Sequence, residues 1–551
     1  MSDRFLSRRA LAILTVLFAA IWFGSLDHRK LIRPDEGRYA AIAREMAASG
    51  DWVTPRLNGL IYLEKPPLQY WTTAAAFRAF GEHDWVARIW PATTGFLGIL
   101  LVAFTGSRVF GRSAGILAGL ALGTSLFYFV IGHLNTLDMG LCFFLELALC
   151  SFLLSNHGPA SSRAGRNWMA LAWAAMAFAV LSKGLIALLI PGGTLIAYSI
   201  LTRDTAPWRG LRILPGIALL LMLAAPWHIL AQLRTPEFAD FYFLHEHLTR
   251  FLTTEHRRVQ PWWYYGPLLL AAAMPWSLIA LHALIAGWKQ ADRSGPALRL
   301  LICWCAFTVA FFSASGSKLP SYILPVLPAL AMLVGHFLTQ IPTRLLRLHF
   351  VAVALLAAVL LLLTLVVPAY IANPESLAAF SRYRGWLVAS SALWLAASLV
   401  ALRLIAANPG RAVVAVACGA TGFALMAMLG HETLSDSHSA WRLSRELRHQ
   451  IPAEAPLFVV REFDHTLPYY LQRNLTLVEY RDEMEFGLSL EPERGVPSMA
   501  EFELRWRAEP QAFAVMAENT RAELESRGLP MRIVARDPRH VVISKPDPGD
   551  S

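Results

Sequence analysis

Between residues 10 and 430 the chain alternates long apolar runs with short polar breaks. About thirteen runs are long enough to cross roughly 30 Å of hydrocarbon as a helix. They lie near 10–26, 87–106, 114–131, 138–155, 168–182, 184–201, 212–232, 264–286, 298–315, 319–338, 347–369, 386–405 and 412–430. Two breaks are long, 27–86 and 233–263. In the first, Glu36–Ala48 reads as a short helix with Tyr39, Ile42 and Met46 on one face, and Pro66-Pro67 opens a second helix rich in aromatic residues, since proline suits a first turn. Both are expected along the outer membrane interface, where aromatic rings are at home. After about 430 the pattern changes: apolar runs shorten to four or five residues (Leu457–Val460, Leu475–Val478, Phe513–Met516, Val541–Ser544), with amphipathic segments such as Thr520–Arg527 between them. The expected fold is a polytopic α-helical membrane domain, 1–430, followed by a small extracytoplasmic α/β domain, 431–551.

Composition agrees. With 56% hydrophobic and 16% charged residues among 551, and 18 tryptophans, the chain carries too little charge for a water-facing surface. The net charge of +10 does not point to nucleic acid, because most Lys and Arg sit in short loops between apolar runs. One set of alternate loops holds Arg4/Arg8/Arg9, Arg108/Arg112, Arg163/Arg166, Arg203/Arg209/Arg212, Lys289/Arg293/Arg299, Arg344/Arg347 and Arg403/Arg411; the opposite short loops hold only Lys183, Lys318, Arg382 and Arg384. By the positive-inside rule the N-terminus is cytoplasmic. An odd number of spans then puts the two long loops and the C-terminal domain outside. The first apolar run lacks a small-residue cleavage site and reads as a retained helix. The five cysteines fall in or beside apolar runs and form no disulfide framework.

In such a chain the informative residues are charges that neither orient helices nor face bulk water, since burial of an unpaired charge in a membrane costs several kcal/mol. Asp35, Glu36, Arg38, Glu64 and Lys65 lie in the first outer loop, Asp138 at the start of a run, Lys183 in a tight turn, His245, Glu246 and Arg250 in the second long loop, and Lys318 with Tyr322 in another turn. Each has a plain reading: lysines snorkel from helix ends, an aspartate favours a helix N-terminus, and His245-Glu246-His247 can be an ordinary polar loop. Their shared side of the membrane argues for more. Lys65, Lys183, Arg250 and Lys318 suit phosphate oxygens, and the aromatic residues suit a sugar ring.

Two motifs narrow this further. Arg33-Pro34-Asp35-Glu36-Gly37-Arg38-Tyr39 and Tyr62-Leu63-Glu64-Lys65-Pro66-Pro67-Leu68-Gln69-Tyr70-Trp71 resemble those of the aminoarabinose lipid A transferases, GT-C glycosyltransferases related to the protein O-mannosyltransferases. The Asp-Glu pair is shared by many polyprenyl-phosphate-sugar transferases; Glu-Lys-Pro-Pro-Leu is narrower. The resemblance implies an inverting pentosyltransferase of the bacterial inner membrane with a periplasmic site. Its donor would be 4-amino-4-deoxy-L-arabinose on undecaprenyl phosphate, its acceptor a lipid A phosphate, and its effect polymyxin resistance. It also implies that Asp35 and Asp138 are catalytic and that Arg38, Tyr39, Tyr62, Glu64, Lys65, Lys183, Arg250 and Tyr322 line the cavity, to which Lys318 is added from its position. A divalent ion, Zn or Mg, at Glu64 and His245 is a further expectation, as is a monomer. The alternatives are a related transferase with a different sugar or acceptor, and a secondary transporter, whose mid-membrane charges and related halves are not apparent in the sequence.

The phosphate monoester acceptor, with a second pKa near 6, is mostly dianionic at neutral pH and needs no strong base. Asp35, Glu64 and Asp138 are then better used to orient cations, to bind the sugar's ammonium group or to hold a metal. From the cation count, a reporter active only in the cytoplasm should be silent when fused at the C-terminus; activity there would invert the topology.

Overall fold

The computed structural model describes residues 7–158, 162–249 and 260–546. Its contacts divide the chain into two units: Met1–Leu26 with Arg88–Gly430, and Asp27–Ala87 with His431–Ser551. The segment that the sequence partition leaves with the transmembrane part is thus grouped with the C-terminal domain.

In the first unit every apolar run falls on a helix or a broken pair. Among the described residues eight helices are long and apolar enough to cross a membrane, from Asp84–Phe110 to Pro409–His438. The run near 264–286 is a pair, Tyr265–Ala272 and Ser277–Gln290, bent by 111° at the break. The other four runs fall on Arg9–Gly24, Arg112–Gly123, Arg163–Lys183 and Ile186–Thr202. Helices satisfy their own backbone groups, which hydrocarbon requires. Lipid gives no hydrophobic drive for helix pairing, so close approach at small residues supplies the attraction. At Gly115 an added Cβ would lie 2.1 Å from the Ser107 hydroxyl, and at Gly335 2.4 Å from the Ala114 carbonyl oxygen.

The second unit is built on a six-stranded sheet. With the hairpin strands β1 (Arg56–Leu57) and β2 (Leu60–Ile61) counted first, its members are β3 (Leu457–Val460), β4 (Thr476–Val478), β5 (Gly495–Val496), β6 (Phe513–Met516), β7 (Arg532–Arg536) and β8 (Val541–Ser544). The order is β5-β4-β3-β6-β8-β7, parallel from β5 to β6 and antiparallel at β8 and β7. β3, β6 and β8 are buried throughout, which is why they read as unbroken apolar runs. Helix Met499–Ala508 packs Phe502 and Trp506 into the core with Phe458, Val460 and Met516.

The first polar segment folds onto this domain. Helix Asp35–Ser49 starts with two acidic residues in its first turn, favourable at a helix N-terminus. The pattern predicts one covered face; the structure buries Glu36, Gly37, Arg44 and the whole run Tyr39–Ala43. The polar members are tolerated because they are paired: Arg29 Nη1 donates to Glu36 Oε2 at 2.9 Å. Helix Leu68–Phe80 follows Pro66-Pro67 as expected. Between the two helices Asn58 and Gly59 form the β1–β2 turn with φ of 54° and 78°, the positive values a tight hairpin needs. The Asn58 side chain then mimics a strand: Nδ2 donates to the Leu475 carbonyl at 2.8 Å and Oδ1 accepts from Leu475 N–H at 2.7 Å.

The turn is also held from below by Glu45, whose carboxyl accepts from Asn58 N–H at 2.7 Å and Gly59 N–H at 2.9 Å. Burial pushes the Glu45 pKa up to about 7, against the downward pull of those amides and of Arg44 and Arg56. A raised carboxyl pKa stabilises the fold fully below its unfolded value near 4.5 and loses that contribution as pH rises through about 7. The wild type should lose about 1–3 kcal/mol across that window, and Glu45→Gln should lose less. Thermal unfolding at about pH 5 and pH 8 measures the difference; equal slopes would contradict it.

Candidate functional site

The expected site residues fall into two groups, one in each unit. In the second unit the first motif separates its two carboxylates. Glu36 is consumed by Arg29 and by the Ile32 N–H at 3.1 Å, whereas the Asp35 side chain is 46% exposed and accepts from Arg38 Nη1 at 3.2 Å. Arg38 also donates to Glu483, and its Nη2 lies 3.3 Å from His465 Nε2. Burial works against the Arg38 charge, but Tyr62, Glu483, Tyr39 and Asp35 together hold its pKa well above the usual arginine value. It is a permanently charged, mostly buried guanidinium.

Gly37 explains why these groups meet. A Cβ there would lie 2.7 Å from the His465 carbonyl carbon and oxygen and from Thr466 Cγ2, so only glycine lets the motif helix rest on this turn. The second motif contributes Tyr62, whose hydroxyl donates to Glu64 Oε2 at 3.0 Å, and Lys65, whose Nζ donates to the Glu64 carbonyl at 2.9 Å and lies 3.9 Å from Glu64 Oε2. Burial, helped by Glu64, raises the Tyr62 pKa well above that of a free phenol. Tyr62 therefore remains a donor. The Tyr39 and Tyr70 rings stand 6.0 Å apart.

In the first unit Asp138 opens helix Leu137–Asn156 and Lys183 closes helix Arg163–Lys183. Each charge suits its helix end, and together they form one ion pair, Lys183 Nζ to Asp138 Oδ1 at 2.5 Å. Lys183 Nζ also lies 5.3 Å from the Tyr322 ring centroid, and Tyr322 rests on Phe312 at 4.8 Å. Gly184, with φ of 84°, allows the turn that follows Lys183. Lys318 is 7% exposed and donates to the Ser315 carbonyl at 2.6 Å. It is a buried ammonium whose described partner is a backbone oxygen, so the helix-end snorkelling reading does not fit it.

Arg250 lies outside the described residues. Of the expected metal pair, Glu64 accepts from Tyr62, and His245 stacks on Phe241 and sits 3.6 Å from Glu246. Among the described residues no group of three or more His, Cys, Asp or Glu is placed to hold a metal ion. The residues that sequence reasoning missed are His465, Glu483 and Tyr480, around Arg38. They stand more than 400 positions from the motif they serve, and no local pattern marks them.

Comparison with known proteins defines the class first. Residues 7–242 match the dolichyl-phosphate-mannose-protein mannosyltransferase family, and residues 443–545 the aminoarabinose transferase C-terminal domain. Both matches place the chain among the GT-C glycosyltransferases. The undecaprenyl phosphate-alpha-4-amino-4-deoxy-L-arabinose arabinosyl transferase of Erwinia tasmaniensis is 33% identical over 329 residues, 59% of each chain. The corresponding transferase 1 of Pseudomonas fluorescens is 32% identical over 73% of this chain and 76% of its own. The crystal structure of ArnT from Cupriavidus metallidurans bound to undecaprenyl phosphate superposes with a TM-score of 0.92, at 37% identity over 98% of both chains. The chain belongs to the aminoarabinose transferase family and is a multi-pass inner-membrane protein.

Gly37→Ala should cost about 1–3 kcal/mol, the usual range for overpacking a closed contact, and should lower activity, since it displaces the helix that carries Asp35 and Arg38. Thermal unfolding and a transfer assay on the purified variant check both effects. An unchanged melting temperature would show that the 465–466 turn yields freely.

Proposed function

We propose that the protein transfers 4-amino-4-deoxy-L-arabinose from undecaprenyl phosphate to a phosphate group of lipid A on the periplasmic side of the inner membrane, with its N-terminus cytoplasmic and one chain as the active unit. The observation that carries the reading is the fold shared over 98% of its length with a protein crystallised with undecaprenyl phosphate. The two groups of charges favour the same chemistry.

An acceptor phosphate oxygen attacks the anomeric carbon, and the bond from that carbon to the donor phosphate breaks, its electron pair leaving with undecaprenyl phosphate. Configuration inverts. The acceptor is ionised already, so the difficulty is to hold two anionic phosphates together while charge builds on the leaving one. Fixed cations in a water-poor site meet that need. Lys183, held by Asp138, and Lys318, held by Ser315, are suited to phosphate oxygens, as are Lys65 beside Glu64 and Arg250 in the second long loop. Tyr39, Tyr62 and Tyr322 supply rings for the sugar. Asp35 and Glu64 are carboxylates for its ammonium group or for keeping Arg38 and Lys65 in place.

Mass spectrometry of lipid A from a polymyxin-sensitive, transferase-null Gram-negative host tests the reading. With this gene the lipid A should gain the mass of one aminopentose; a different added mass would assign another sugar, and no change would overturn the proposal. Lys65→Ala, Lys183→Ala and Lys318→Ala should each reduce transfer about 10- to 100-fold, the loss of a charged hydrogen bond of about 1.5–3 kcal/mol, while membrane insertion is retained. Full activity in all three would return these lysines to an ordinary structural role.

A further inference from the structure

We propose that His465, fixed by the buried Asp464–Arg539 ion pair of the soluble domain, is a positioning residue for Arg38. The inference rests on the transferase reading above. Asp464 lies at the carboxyl end of β3, with its side chain 1% exposed, and Arg539 Nη1 donates to its Oδ2 at 2.5 Å. Its other oxygen accepts from the Thr466 N–H at 2.8 Å and the Thr466 hydroxyl at 2.6 Å. Thr466 Oγ1 in turn accepts from the Ala440 N–H at 2.8 Å. Burial opposes the Asp464 charge, yet Arg539, His540 and the Thr466 bonds outweigh it and keep the carboxyl below its ordinary range. The turn 464–466 is therefore locked on both sides of His465.

The motif helix meets this turn at two places. Gly37 touches its backbone, and the His465 ring directs Nε2 at Glu483, itself a partner of Arg38, and lies 3.3 Å from Arg38 Nη2; with Nε2 protonated the ring donates to Glu483, and with Nε2 bare it accepts from Arg38. The ring is 7% exposed and stands edge-on to Phe463, 5.1 Å between centroids. Arg38 carries a long, entropically costly side chain and must keep one N–H on Asp35. A ring nitrogen at a fixed place limits where the guanidinium can go, so the soluble domain sets the geometry of the Asp35–Arg38 pair without touching a substrate.

A residue that only fills space would be served best by an aromatic replacement. A residue that acts through its distal nitrogen would be served by glutamine, whose amide reaches the place of Nε2, and not by asparagine, which falls short, or by phenylalanine, which has no polar atom. The test measures kcat, KM for the donor and thermal unfolding for full-length wild type, His465→Gln, His465→Asn and His465→Phe. His465→Gln should stay within about threefold of wild-type kcat. His465→Asn and His465→Phe should fall at least tenfold in kcat, with KM within about twofold and an unfolding temperature like that of His465→Gln. Should His465→Phe not fold, the pair of amide variants still decides. Equal activity of the variants, or losses that follow the unfolding temperature or KM, would overturn the inference. A wild-type protein inactive with the lipid-linked donor would overturn the transferase reading instead.

Discussion

Asn58 and Leu475 exchange both of their hydrogen bonds across more than 400 residues of chain, and much of the second unit depends on connections of this kind. The first polar segment buries charged side chains along with its apolar ones; its helix Asp35–Ser49 includes Glu36, Arg38, Arg44 and Glu45. It becomes a folded element because the C-terminal segment returns to cover it. Tyr470 accepts from the Leu31 N–H at 2.8 Å and donates to Asp84 at 3.1 Å, Arg56 pairs with Glu491 at 2.9 Å, and the Arg33 N–H donates to the His438 carbonyl at 2.9 Å. Buried polar groups left without such partners would cost about 1–3 kcal/mol each. The C-terminal segment is thus a structural partner of the loop that carries both motifs.

The charged residues differ in what they are paired with. Glu36 and Arg29 neutralise each other inside the fold, so the acidic pair of the first motif is one structural and one available carboxylate. Asp138 and Lys183 are each explicable as helix-end charges, but a 2.5 Å pair between two helices fixes the ammonium in direction as well as in place. Lys318 differs from both. Its described contact is a carbonyl oxygen, which leaves its positive charge uncompensated by any described carboxylate.

The helices of the membrane unit and the long strands of the sheet were legible because burial writes itself into composition: the thirteen runs and the segments at 457–460, 513–516 and 541–544 all fall on the expected elements. β5 and β7 were not. β5 is two residues long, and β7 is an edge strand that exposes Arg532 and Arg536 and carries a bulge between Ile533 and Ala535, so neither has an apolar run of four residues to read. The motif residues were legible as chemistry, yet their partners were not, because His465 and Glu483 are ordinary polar residues until the fold sets them beside Arg38. The glycine of the first motif shows the limit well. Its identity was visible, but its reason lies in the backbone of residues 465 and 466.

This arrangement bears on what Asp35 can do. A general base works best when its proton acceptor faces the nucleophile and is not already spent, and the ionised phosphate acceptor proposed above does not need one. Asp35 has one oxygen on Arg38 and is otherwise half open. Arg38 is itself braced by Glu483 and His465, so the carboxylate is tied to a cation that cannot readily follow it. A cation held from several sides needs little reorganisation, which is the property that makes fixed charges effective in a low-dielectric site. In the proposed reaction Asp35 is therefore suited to orient and bind, and the basicity resides in the acceptor.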